Sequence, residues 1–134
     1  MNAELLRLTP YDNPVIFPVQ FDHLIAFAGV YVLEKHHQTI AAFIVEPVME
    51  NIGICLPQPG YLEAVRDITR RYGTMLIFDE VKTGITAGWG GATGAVGVTP
   101  DLVALAKSIG GGLPLGAFGG THECMDQITQ GRVL

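Results

Sequence analysis

The sequence predicts an α/β domain built on a mostly parallel sheet flanked by helices, and three observations carry that expectation. Short apolar runs of strand length recur at Ile40–Val45, Thr74–Phe78 and Leu102–Ala106. A stripe at helical spacing, Leu62, Val65, Ile68 and Tyr72, separates the first two. Each run is followed by an ionisable residue, Glu46, Asp79 and Lys107 in turn. Ligands of open α/β sheets collect at the carboxyl ends of parallel strands, where those residues would stand.

Taken in order, Glu4–Thr9 suits a short strand, followed by a loop through Asp12-Asn13-Pro14. From Phe21 to about His36 the pattern suits a helix, with Leu24, Ile25, Phe27, Ala28 and Tyr31 mostly on one side. Ile40–Val45 is continuous and β-branched, as in a strand buried on both faces. Pro57-Gln58-Pro59-Gly60 opens a second helix. Its Glu63 lies early and its Arg70 and Arg71 late, which suits the helix dipole. Gly73 is placed to end it in a left-handed conformation. With Thr74–Phe78 this makes a strand–helix–strand unit, for which a right-handed parallel crossover is expected. A glycine-rich passage follows Val81 and runs through Gly97; Leu102–Ala106 reads as a third strand, Leu113–Phe118 as a fourth, and His122–Thr129 as a closing helix.

Composition narrows the function classes. With 49% apolar and 16% charged residues the chain favours a buried core over a solvated tail. A net charge of −5 argues against a nucleic-acid partner. No run approaches the length of a membrane span, and the start lacks the pattern of a secretory signal. Two cysteines, Cys55 and Cys124, make no disulfide framework, and the cytoplasm is the expected compartment. His23, His36, His37 and His122 show no metal-ligand spacing, so no metal site is expected.

The chemistry concentrates in Asp79, inside Ile77-Phe78-Asp79-Glu80-Val81, and Lys107, just before Ser108-Ile109-Gly110-Gly111-Gly112. Alone, a loop lysine is usually a solvated one and an aspartate can cap a turn. Together they suit pyridoxal 5'-phosphate. The amine can form a Schiff base with the cofactor aldehyde, and the carboxylate can keep the pyridine nitrogen protonated so that the ring accepts electrons.

Five ordered segments carry a family resemblance: Phe43-Ile44-Val45-Glu46-Pro47-Val48, Pro59-Gly60-Tyr61-Leu62, Ile77 to Gly84, Gly97-Val98-Thr99-Pro100-Asp101-Leu102, and Ala106-Lys107 through Pro114. From about Ile40 onward the chain resembles class III, fold type I aminotransferases. It leans toward the glutamate-1-semialdehyde 2,1-aminomutase-like branch through Met49-Glu50-Asn51-Ile52-Gly53 and Gly111 to Gly120.

The resemblance implies that Lys107 is the Schiff-base lysine and proton carrier, that Asp79 pairs with the pyridinium nitrogen, and that Val81 packs on one ring face. Gly110–Gly112 would let backbone pass close to the lysine. Asn51 would lie near the cofactor's phenolic oxygen or the substrate, although an asparagine there also suits a plain loop turn. Glu46 would support the site rather than react. Lys82, where the family often has glutamine or methionine, and Ile85-Thr86-Ala87-Gly88-Trp89, without the usual arginine, bear on the substrate rather than the cofactor. Such enzymes are much longer and carry phosphate-binding segments not recognisable here. The expectation is a single partial domain over 1–134, the central part of the large PLP-binding domain, truncated at both ends. Its reaction would move an amino group between an amino donor and an oxo acceptor, with a homodimer as the full-length state. The rival readings are the aminomutase itself, an inactive structural or interaction fragment, and a cofactor-independent Schiff-base lysine enzyme, against which Asp79 argues.

Overall fold

The apolar runs form three of the four strands of one sheet. In this computed structural model residues 22–129 are described, with side chains from 29 to 128. Strands β1 (Ala42–Val45), β2 (Met75–Asp79), β3 (Leu102–Leu105) and β4 (Ala117–Gly120) lie side by side in chain order. The pairs β1–β2 and β2–β3 are parallel, and β3–β4 is antiparallel. The expected strand at Glu4–Thr9 and the loop after it lie outside the described residues.

Helix α1 (Asp22–His36) packs beside α2 (Tyr61–Tyr72). Tyr31, expected on the inward stripe, is exposed, while Val32 and Leu33 are buried. The side chains of Leu24, Ile25, Phe27 and Ala28 lie outside the described set. Registration explains the core. Phe43 pairs with Leu76 and Val45 with Phe78, which puts four buried side chains on one face of the sheet. Tyr61, Leu62 and Val65 of α2 cover them, with Val98 closing the cluster. A fully buried Leu or Phe stabilises by about 1.5–3 kcal/mol. Ile44 and Ile77, on the other face, are half-buried, so the described chain buries these strands fully on one side only.

Helix α2 begins after Gly60 in a left-handed conformation, outside the two prolines. It ends as the sequence suggests. Gly73 takes φ +66 and donates its N–H to the Arg70 carbonyl, while Thr74 N–H reaches the Thr69 carbonyl. This double bond pattern is a Schellman motif, available cheaply to glycine. The buried stripe also takes in Arg66 and Thr69. Arg66 is paired through Nη1 with Asp101 Oδ2 at 2.7 Å, and the Thr69 hydroxyl donates to the Val65 carbonyl.

The glycine-rich passage holds two short helices, α3 (Thr83–Thr86) and α4 (Gly91–Val96). The fourth strand runs Ala117–Gly120 rather than Leu113–Phe118. Turn bonds from Gly111 N–H to Ser108 O, Leu113 N–H to Gly110 O and Leu115 N–H to Leu113 O consume the apolar residues before it. The closing helix α5, His122–Thr129, is as expected.

Candidate active site

The parallel pair β2–β3 sets the geometry. Asp79 is the last residue of β2 and pairs in register with Ala104. Lys107 opens a 3-10 turn, Lys107–Gly110, just past the end of β3. The two therefore leave the same end of the sheet from neighbouring strands. Among the described residues no hydrogen bond or ion pair joins their side chains.

Asp79 is half-buried, and its Oδ1 accepts the Val81 N–H at 3.0 Å. Its Oδ2 has no partner among the described residues. Val81 is half-buried immediately after it. Lys107 is exposed, with φ +50, the one non-glycine residue at positive φ among those described. That left-handed backbone costs a residue bearing Cβ about 1 kcal/mol. Gly111 and Gly112, also at positive φ, follow it without that cost. Gly84 in α3 approaches Leu105 so closely that a Cβ would strike the leucine side chain, so α3 packs directly on the segment leading to Lys107.

Asn51 is exposed at the tip of a narrow ladder in which Met49 and Cys55 exchange backbone bonds of 3.1 and 2.9 Å. No bond ties its side chain to Asp79 or Lys107. Glu46 is half-buried just past β1. Among the described residues no cluster of His, Cys, Asp or Glu could hold a metal ion, and no helix is long and apolar enough to cross a membrane. Large apolar side chains stand open on the loops at this end of the sheet: Ile54, Leu56, Trp89, Leu113 and Leu115.

The sequence reading passed over Glu80. It is 2% exposed, and its carboxylate collects donors from α3 and α4. The available signal was an acid directly after Asp79 with a glycine-rich helix start a dozen residues on.

A model of the family described as "Aminotransferase class-III" matches residues 9–133. The chain belongs to that family. "Glutamate-1-semialdehyde 2,1-aminomutase 2" of Exiguobacterium sibiricum is 55% identical over 95 residues, covering 71% of this chain and 22% of that protein. A solved glutamate-1-semialdehyde aminomutase from Pseudomonas aeruginosa PAO1, in complex with PMP, superposes with a TM-score of 0.72 at 34% identity, over 84% of this chain and 24% of that one. An omega-transaminase from Sphaerobacter thermophilus gives 0.72 at 39% identity, over 80% and 24%. The chain thus spans about a quarter of the length of the relatives it matches.

Within this family of pyridoxal-phosphate-dependent enzymes, the residues here fit two parts of the cofactor. An exposed amine suits its aldehyde, and a half-buried carboxylate with one unengaged oxygen suits its ring nitrogen. The phosphate is less well served. Helix starts suit anions, but the first N–H groups of α4 are already taken by Glu80.

Proposed function

We propose that this chain carries the cofactor-handling centre of a pyridoxal-phosphate-dependent aminotransferase or aminomutase, which moves an amino group between an amino compound and an oxo compound. The observation that carries this reading is the amine–carboxylate pair on adjacent parallel strand ends, Lys107 beyond β3 and Asp79 closing β2. When bound, pyridoxal phosphate supplies an aldehyde carbon and an electron-accepting ring. Lys107 Nζ would hold the cofactor at its aldehyde carbon and would carry the proton taken from the substrate's α-carbon. Asp79 holds the proton on the ring nitrogen through its carboxylate. Val81 gives the ring an apolar face that competes for no polar group. Asn51 is assigned to the same centre, at the phenolic oxygen or the substrate.

The narrower reading is glutamate-1-semialdehyde 2,1-aminomutase. It is favoured by the identity to proteins of that name and by Asn51 and the Gly111–Gly120 segment. Both cysteines are free thiols, which suits a reducing cytoplasm. We take the assembled enzyme as a homodimer, since open apolar side chains at the carboxyl end of the sheet suit cover by further protein.

The test is absorbance spectroscopy of the chain with pyridoxal 5'-phosphate, beside Lys107→Ala. A new band in the native chain that the variant lacks is the expected result. Identical spectra would overturn the reading and favour an inert fragment.

A further inference from the structure

Asp79 is the last residue that the β2 ladder holds. What fixes the chain beyond it is Glu80. The Glu80 carboxylate accepts Ala92 N–H at 2.6 Å and Thr83 Oγ1–H at 3.1 Å on Oε2, and Thr93 N–H at 2.8 Å and Thr93 Oγ1–H at 2.5 Å on Oε1. Its backbone is tied as well. Glu80 N–H donates to the Ala104 carbonyl at 2.9 Å, and the Glu80 carbonyl accepts Gly84 N–H at 2.9 Å. One buried residue thus joins β3 and the beginnings of α3 and α4. Gly91, at φ +62, leaves room for it, because a Cβ there would collide with the carboxylate.

The geometry points to Glu80 as a positioning residue for the cofactor contact of Asp79. This rests on the reading in which Asp79 meets the ring nitrogen. Three consecutive residues divide the work. Asp79 and Val81 are half-buried at the site, and Glu80 between them is anchored inward. With Glu80 fixed through backbone and side chain, the peptides on either side of it cannot rotate freely. The Val81 N–H then stays on Asp79 Oδ1, and Oδ2 stays available. A bond to a charged acceptor is among the stronger hydrogen bonds, and each N–H orphaned inside the fold carries a desolvation penalty.

Glu80→Gln keeps the shape but replaces one acceptor oxygen with an amide that faces donors. Amide hydrogen exchange on the cofactor-free chain reads the anchoring. The expected result is exchange at least about tenfold faster at Val81, Ala92 and Thr93, with Leu76 and Phe78 unchanged within about twofold. Equal acceleration at all five, or loosening of Ala92 and Thr93 without Val81, would overturn the inference. Thr93→Val, which removes one hydroxyl donor, decides the case if Glu80→Gln does not fold: faster exchange at Val81 supports it, none overturns it. Pyridoxal phosphate affinity gives the second readout, expected about tenfold weaker in Glu80→Gln. Unchanged affinity beside a native lysine-dependent band would sink the positioning role. A native chain without that band would instead sink the cofactor reading, while the exchange pattern still decides the anchoring.

Discussion

The two ends of this sheet are built on opposite plans, and two aspartates show it. Asp101, at the amino end of β3, accepts Arg66 Nη1–H and Leu76 N–H through Oδ2, both at 2.7 Å; its own N–H donates to the Leu76 carbonyl and its carbonyl accepts the Thr121 N–H. Asp79, at the carboxyl end of β2, accepts one bond from its neighbour Val81. The amino end uses its carboxylate to close the structure. The carboxyl end keeps one open, beside a lysine in a left-handed conformation and loops carrying exposed apolar side chains. Such contrast within one small sheet is the expected division between a part that supplies stability and a part that spends it on a site.

Substitutions can break or sharpen that contrast. The largest effect belongs to the shared centre. Phe78→Ala is expected to cost about 4 kcal/mol, by urea unfolding, since the ring is wholly buried between both ends. Asp101→Ala comes next, at about 3 kcal/mol, because it leaves the buried Arg66 guanidinium and the Leu76 N–H without their acceptor. At the other end the sign reverses. Lys107→Gly should be more stable than Lys107→Ala by about 1 kcal/mol in thermal unfolding, because only glycine takes φ +50 without strain. The smallest effect is that of Asp79→Asn, expected within about 0.5 kcal/mol of the native chain while pyridoxal phosphate binding is lost. A stability loss there equal to that of Asp101→Ala would erase the distinction between the two ends.

Much of this plan was legible where one physical rule decides the outcome. Ile40–Val45 and Thr74–Phe78 had strand length and composition, and Gly73, lacking a Cβ, could end a helix without strain, so β1, β2 and the end of α2 lie close to their expected bounds. Lys107 and Asp79 were visible because each follows an apolar run, which places both at one end of the sheet. Glu80 was passed over, since its one signal, the glycine-rich helix start at Ala92 and Thr93, lies a dozen residues away rather than beside it. The burial of Arg66 was not legible for the same reason: its partner, Asp101, is 35 residues away. The start of β4 was missed because Leu113 and Leu115 look like strand residues, and only the turn bonds between Gly110 and Leu115 show otherwise. Tyr31 was expected on the wrong side of α1 because that helix is apolar nearly all round.

Trp89 is the sole tryptophan of the chain and stands fully exposed between α3 and α4. Its fluorescence is therefore blind to the core. Emission in the native chain should already resemble that of tryptophan in water, and urea should change it little while circular dichroism records the collapse of β1, β2 and α2. The same indole becomes a sensitive reporter of anything that settles on the carboxyl end of the sheet. A blue shift on adding a partner or a second copy would signal cover at that end without any label being attached.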